Sequence, residues 1–300
     1  MYPREFNAVL TKFKLDKNSK EIYVEGSTDK NFYQLHLNAC KEDNEAQFID
    51  ISTIDFSSET EKILAKGYDE KSNRDKVIYL MDCLKERGYT LARGIVDKDV
   101  LPHTRGLPKN DLVICTDNSG IEMYFFSRKN IKKVQSLCFN KISTEIVESF
   151  MKQLITISAI RVMEKRENIS LSKPNEEKDF LNYCIEEKKK NKKGETIKMY
   201  RFDENRYIDA LLTNKNPQFA SKKQVIKDKI DEYKRELTRD DIRDNINGHE
   251  LVWLLTYCIK KCENKKYNQS PSGAICGIYM NAVESLLMKE TNLMKSLLNF

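Results

Sequence analysis

Apolar and polar positions divide the chain into two regimes. In the first, short apolar runs without clean alternation are separated by stretches of helical spacing. Glu21–Val24 reads as a strand, and Thr28–Leu37 as a helix with Phe32, Tyr33 and Leu35 among its apolar positions. Ser27 or Thr28 is suited to cap that helix, and Asp29 suits its first turn. Gln47–Ser52 is a second strand. Ser57–Gly67 holds room for a short helix. Asp75–Arg87 is helical, with Val77, Ile78, Met81 and Leu84 on one face and Gly88 placed to end it. Leu91–Val96 and Asp111–Thr116 are further strands, separated by a Pro- and Gly-containing loop over 101–108, and Gly120–Arg128 starts another helix. This order predicts a mainly parallel sheet with right-handed crossovers, covered by helices on both faces. In the second regime, residues 141–165, 175–190, 203–213, 221–237, 249–263 and 274–299 all read as helices. Leu251, Leu254, Leu255 and Cys258 form one apolar face, and Met280, Val283, Leu286 and Leu287 another. The expected fold class is therefore α/β, a mainly parallel sheet flanked by helices and followed by a largely helical C-terminal region. The expected division is residues 1–135 and 136–300.

Charge sharpens this division. The net charge of +6 is unevenly spread: residues 1–127 hold 18 basic and 22 acidic residues, and residues 128–300 hold 34 and 24. An acidic part able to hold cations precedes a basic part able to hold a polyanion. The densest basic run is Lys188-Lys189-Lys190-Asn191-Lys192-Lys193, expected at a helix end and loop. Eight cysteines without a Cys-x-x-Cys pair suit free thiols rather than zinc or disulfides. No apolar run approaches the ~20 residues of a membrane span, and the first residues do not resemble a signal peptide, so the expected setting is the cytoplasm, away from membranes.

The candidate chemistry lies where the strands end. Glu25 follows the first strand, Asp97 and Asp99 follow Ile95-Val96, Asp117 follows Cys115-Thr116, and Glu122 comes one turn later. Ligands of open α/β sheets bind outside the carboxyl ends of the strands. Carboxylates crowded there repel one another unless a cation neutralises them, and oxygen donors suit Mg²⁺ or Mn²⁺. If Asp97-Lys98-Asp99 stays extended, both aspartates share a face and Lys98 points away. Gly26 offers close approach to a phosphate or a positive φ. Other signatures fail: the sequence has no P-loop and no Gly-x-Gly-x-x-Gly after the first strand. His249-Glu250-Leu251-Val252-Trp253 lacks the second histidine of a zinc protease, and Asn247-Gly248-His249-Glu250 suits a helix cap, with a contribution to the active site as the alternative.

These residues resemble a Toprim domain, the metal-binding module shared by topoisomerases, primases and OLD-family nucleases. The similarity covers roughly residues 20–125 and rests on Ile22-Tyr23-Val24-Glu25-Gly26 and Ile95-Val96-Asp97-Lys98-Asp99. Thr116-Asp117-Asn118-Ser119-Gly120-Ile121-Glu122 resembles a segment of the narrower Toprim family encoded beside ABC-type ATPases, which includes the effector of the PARIS anti-phage defence system. The resemblance implies a toxic metal-dependent endonuclease held by an ABC-type ATPase partner, with RNA, tRNA included, as target. Glu25, Asp97 and Asp99 would be catalytic, and two Mg²⁺ or Mn²⁺ ions would sit on these three with Asp117 or Glu122. Lys30, Lys98, Lys189, Lys190 and Lys192 are candidate nucleic-acid contacts. A homodimer would give a small domain more grip on a long substrate. The alternatives are a non-catalytic Toprim-shaped binding subunit of an ATPase complex, a DNA nuclease of the OLD type, and a primase-like polymerase whose template and nucleotide sites are not recognisable in the sequence.

Overall fold

A computed structural model describes residues 3–41, 45–138, 142–171, 177–190, 196–263 and 271–300. In chain order the first stretch holds β1 (Arg4–Glu5), α1 (Phe6–Leu15), β2 (Glu21–Val24), α2 (Ser27–Cys40), β3 (Gln47–Asp50), β4 (Ile54–Asp55), α3 (Thr60–Ala65), α4 (Asn73–Glu86), β5 (Ala92–Val96) and β6 (Val113–Cys115). Then come α5 (Glu122–Phe125), α6 (Arg128–Leu137), α7 (Thr144–Arg166), α8 (Glu177–Leu181), β7 (Cys184–Lys190), β8 (Thr196–Phe202), α9 (Glu204–Ala210), α10 (Lys223–Leu237), α11 (Gly248–Glu263) and α12 (Pro271–Ala282). The chain closes with α13 (Ser285–Lys289) and α14 (Asn292–Leu298). Two compact units emerge: one comprises residues 1–98, 106–117 and 284–300, the other residues 99–105 and 118–283.

The protein is α/β. The first unit is built on a four-stranded parallel sheet of order β3-β2-β5-β6, with Val24 opposite Ile95 and Val96 opposite Cys115. All four residues of β2 are buried, so the strand is covered on both faces, the pattern its unbroken apolar run predicts. A core of Phe6, Val9, Phe13, Tyr23, Val77, Leu80, Met81, Leu84 and Val96 joins α1 and α4 to the sheet. α1 is not among the sequence expectations, although Phe6, Val9, Leu10 and Phe13 stand at the i, i+3, i+4, i+7 spacing of an amphipathic helix and are all buried.

α4 lies so close to β5 that a methyl group on Gly94 would sit 2.6 Å from Val77 Cγ1 and 2.8 Å from Met81 Cγ. Both neighbours are fully buried and have little room to retreat. Gly94→Ala is expected to cost about 1–3 kcal/mol, the usual range for overpacking. Urea unfolding of wild type and variant measures it; equal stability would show that the α4–β5 contact yields freely.

After the sheet, two expectations are corrected. Residues 175–190 do not form one helix: α8 ends at Leu181, and Cys184–Lys190 pairs antiparallel with Thr196–Phe202. Lysine and glutamate favour helix by propensity, but packing overrides so weak a preference, here with Phe202 stacked on Phe180 at 5.1 Å. Residues 274–299 are not one helix either. The run breaks after Ala282 and again at Thr291, whose side chain caps α14 by accepting the Met294 amide. Leu286 and Leu287, expected on an apolar face, are exposed. The other predicted face is buried as expected: Leu251, Leu254, Leu255 and Cys258 are all at 1% exposure or less. Among the described residues no helix is long and apolar enough to cross a membrane.

Candidate functional site

In the first unit, β2, β5 and β6 are parallel neighbours, so Glu25, Asp97 and Asp117, which follow them, share one sheet edge. Beyond the register pair Val24–Ile95, the Asp97 N–H donates to Glu25 Oε1 at 2.8 Å. α4 begins beside them. Asn73 Nδ2 donates to the Glu25 carbonyl at 2.8 Å, and Arg74 Nε lies 3.6 Å from Glu25 Oε1, both side chains about one-fifth exposed. Thr116 extends the β5–β6 ladder through its N–H to the Val96 carbonyl, and its hydroxyl accepts the Lys98 N–H at 2.9 Å. Lys98 Nζ donates to the Asp117 carbonyl. Burial pushes the Cys115 thiol pKa up; Arg74 and Lys98 oppose that, while Glu25 and Asp97 add to it, placing this cysteine among two acids and two bases. Glu25 and Asp97 are thus brought together. Asp117 sits at the same edge, but its two carboxylate oxygens accept the Asn292 and Leu293 amides, anchoring the start of α14, where a negative charge is favourable.

Three local expectations change. Gly26 has φ −159°, which any residue adopts, and an added Cβ would meet only Asp29 Oδ2 at 3.4 Å, so no positive φ is needed. Gly26 is itself the residue before α2, with no side-chain cap from Ser27 or Thr28. β5 stops at Val96, and Asp99 takes a left-handed φ of 40°, so the strand alternation invoked for Asp97 and Asp99 does not extend to Asp99. Aspartate tolerates that conformation better than most residues.

The second unit holds the other candidates. The Asp99 N–H donates to the Ser119 carbonyl at 2.6 Å. Arg161 pairs with Glu250; burial pulls its pKa down, yet the charges of Glu250 and Asp99 hold it above the usual value. Asn118 Nδ2 donates to Asp244 Oδ1 at 3.0 Å and the Ser119 N–H to the Arg243 carbonyl at 3.0 Å, tying the segment before α5 to the one before α11. That tie brings Glu122 to His249. Their Oε1 and Nδ1 are 2.8 Å apart, the carboxylate buried and the ring two-thirds exposed. The hydrogen bond and the charge of Glu122 push His249 up to about 9, so the imidazole is cationic at neutral pH. Any side chain at Gly248 would collide with the Glu122 side chain. Asn247 Oδ1 accepts the His249 N–H at 2.8 Å, in keeping with a helix start.

Arg74 and Arg161 are not among the residues singled out from the sequence, where Asn247-Gly248-His249-Glu250 reads as a helix cap with a contribution to the active site as the alternative. No local pattern marks the arginines; parallel register and helix packing bring them in. Lys30 lies in the first turn of α2, half-buried, and the backbone of Lys189 and Lys190 lies in β7, while Lys192 is outside the described residues. Carboxylate oxygens at Glu25 and Asp97 fit a hard divalent cation in donor type. Among the described residues, however, no three His, Cys, Asp or Glu side chains converge into a metal-holding group, and Arg74 supplies a positive charge beside Glu25. No protein-family model matches the chain, and no curated protein does.

Proposed function

We propose that this protein is a Mg²⁺- or Mn²⁺-dependent endonuclease of the Toprim type, acting on RNA, tRNA included, as the toxic effector of a defence pair with an ABC-type ATPase. The observation that supports the reading is the hydrogen bond from the Asp97 backbone amide to the Glu25 carboxylate at the carboxyl edge of a parallel sheet. Glu25 and Asp97 would hold the cation. Asp99, and Asp117 or Glu122, enter from the sequence motif alone. When bound, a divalent ion supplies charge neutralisation on the scissile phosphate and a lowered pKa for water. Glu25, whose carboxylate accepts the Asp97 amide and whose backbone carbonyl accepts Asn73 Nδ2, would take or return a proton. Arg74 and Lys98 bring positive charge to the same edge, where a phosphodiester would need it.

A second reading, a Toprim-shaped binding subunit that does not cut, is favoured by one observation: Arg74 already counters Glu25, as a metal would. Metal titration separates the two. A competent site gains about 2.7 kcal/mol at a hundredfold excess of ligand over Kd, roughly 5 °C in melting temperature for a chain of this size. We expect that shift with Mn²⁺ or Mg²⁺, together with cleavage of total tRNA that EDTA abolishes and weaker action on plasmid DNA. DNA cleavage in place of RNA cleavage would give the OLD-type nuclease. No shift, and no toxicity on expression either with or without a partner ATPase, would leave the binding subunit.

A further inference from the structure

Arg74 stands where a helix least favours a cation. It is the second residue of α4, whose first turn carries the positive end of the helix dipole. Glu25, at the sheet edge of the same unit, supplies an anion: Arg74 Nε lies 3.6 Å from Glu25 Oε1, and both side chains are about one-fifth exposed. At that separation the two are an ion pair but not a hydrogen bond, whereas a close guanidinium–carboxylate pair sits at ~2.7–2.9 Å. The same oxygen accepts the Asp97 N–H at 2.8 Å, and the Glu25 carbonyl accepts Asn73 Nδ2 at 2.8 Å. The glutamate is thus held by neutral amides, with the guanidinium as a looser counter-ion. Burial pushes the Cys115 thiol pKa up, and Arg74, Lys98, Glu25 and Asp97 all act on it as well, so two cations and two anions lie close to the end of β6. A divalent ion at this edge would claim the charge of Glu25 that Arg74 now neutralises.

We infer that the Arg74–Glu25 pair is an exchangeable lock on this edge: Glu25 leaves Arg74 to hold a divalent cation, and Arg74 leaves Glu25 to hold a phosphodiester of the nucleic acid, so each exchange opens the pair for the other. The inference rests on the nuclease reading above and adds the regulation of its site. A guanidinium suits a phosphate as well as it suits a carboxylate. Two ligands that both need the pair open bind with positive cooperativity, and the coupling is reciprocal. A pair open about one-tenth of the time weakens each ligand about tenfold when it binds alone. The competing account is a structural ion pair that steadies the start of α4. That account sits poorly with a cation in the first helical turn and a separation beyond hydrogen-bond range. The helix start is already served by Ser72, whose hydroxyl accepts the Asp75 N–H, and by the acidic Asp75 in its first turn.

Two titrations of the full chain test the lock, and neither reads cleavage. In the first, Mn²⁺ is titrated by calorimetry into wild type, Arg74→Gln and Arg74→Lys. Arg74→Gln is expected to bind Mn²⁺ about tenfold more tightly than wild type, and Arg74→Lys, which keeps the charge, to bind as wild type does. In the second, fluorescence anisotropy in EDTA follows a labelled RNA stem-loop on wild type, Glu25→Gln, Arg74→Gln and the double variant. Glu25→Gln is expected to bind the RNA about tenfold more tightly than wild type and to gain nothing in the Arg74→Gln background. Loss of a negative charge by itself would strengthen binding equally in both backgrounds, and that result would overturn the lock. Equal Mn²⁺ affinity in wild type and Arg74→Gln would overturn it too, as would an absence of RNA binding by every protein. The Glu25→Gln comparison needs no change at Arg74, so a missing RNA gain counts against the lock even if an arginine variant is unstable. Mn²⁺ binding that ignores Arg74 leaves the metal reading standing, whereas no Mn²⁺ binding by any of the proteins removes that reading and the lock together.

Discussion

If the protein is the nuclease proposed above, Glu25→Ala is expected to yield a folded protein whose metal-dependent cleavage falls by a factor on the order of 10²–10³, the range seen when one preorganised electrostatic group is removed. Glu25 stands at a strand end with its side chain 22% exposed, outside the apolar core. Truncation costs the Asp97 amide its acceptor and Arg74 a counter-ion, about 1 kcal/mol by the usual worth of such a hydrogen bond. Melting temperature and near-ultraviolet circular dichroism should therefore change little. Glu25→Gln refines the result, because its amide oxygen still accepts the Asp97 N–H while the charge is gone. If the carboxylate binds metal or moves a proton, both variants fail. If Glu25 only holds the loop after β5, the glutamine variant cleaves. Full cleavage by a folded Glu25→Ala protein would sink the assignment.

The first unit is expected to lose about 3 kcal/mol of stability between pH 6.5 and pH 4 through one residue, His36. Its ring is 1% exposed on α2, edge-on to Phe32 at 4.5 Å, with Nδ1 2.9 Å from Ser285 Oγ and no hydrogen-bond partner for Nε2 among the described residues. Burial pushes its pKa down to about 4. The unfolded chain takes up the proton near pH 6.5 and the folded one does not until about pH 4, so the unfolded state gains protons across that window. Stability therefore falls as pH falls through it, and the whole contribution is present only above pH 6.5. His36→Leu, which cannot titrate, removes this dependence. Urea unfolding of both proteins at pH 7.5, 6, 5 and 4 checks it (the pH values bracket the window). The difference between them should move by about 3 kcal/mol in the variant's favour, and a constant difference would mean that His36 takes up its proton as readily folded as unfolded.

Much of the sheet was legible because its signals are local. Glu21–Val24, Asp75–Arg87 and Leu91–Val96 carry their own periodicity, and the structure puts β2, α4 and β5 there within two residues. The α11 face was legible for the same reason. The ribbon over 184–202 was not, because a lysine- and glutamate-rich segment satisfies helix propensity, and its strand state depends on aromatic packing at the root. Likewise 274–299 has the apolar content of one helix; its division into α12, α13 and α14 includes a cap at Thr291 and an anchor from Asp117, 175 residues earlier.

By itself the sequence determined that acidic side chains end three strands, since strand propensity and the residue that follows a strand are properties of a few neighbouring positions. Only the tertiary structure decided which of those acids meet a partner and what it is. Glu25 finds the Asp97 amide 72 residues away and Arg74 from a helix start, Asp117 is taken by the amides of α14, and Glu122 by His249. A carboxylate's chemistry is set by the charges and donors within a few ångströms of it, and in this chain those come from register and helix packing between segments far apart in sequence.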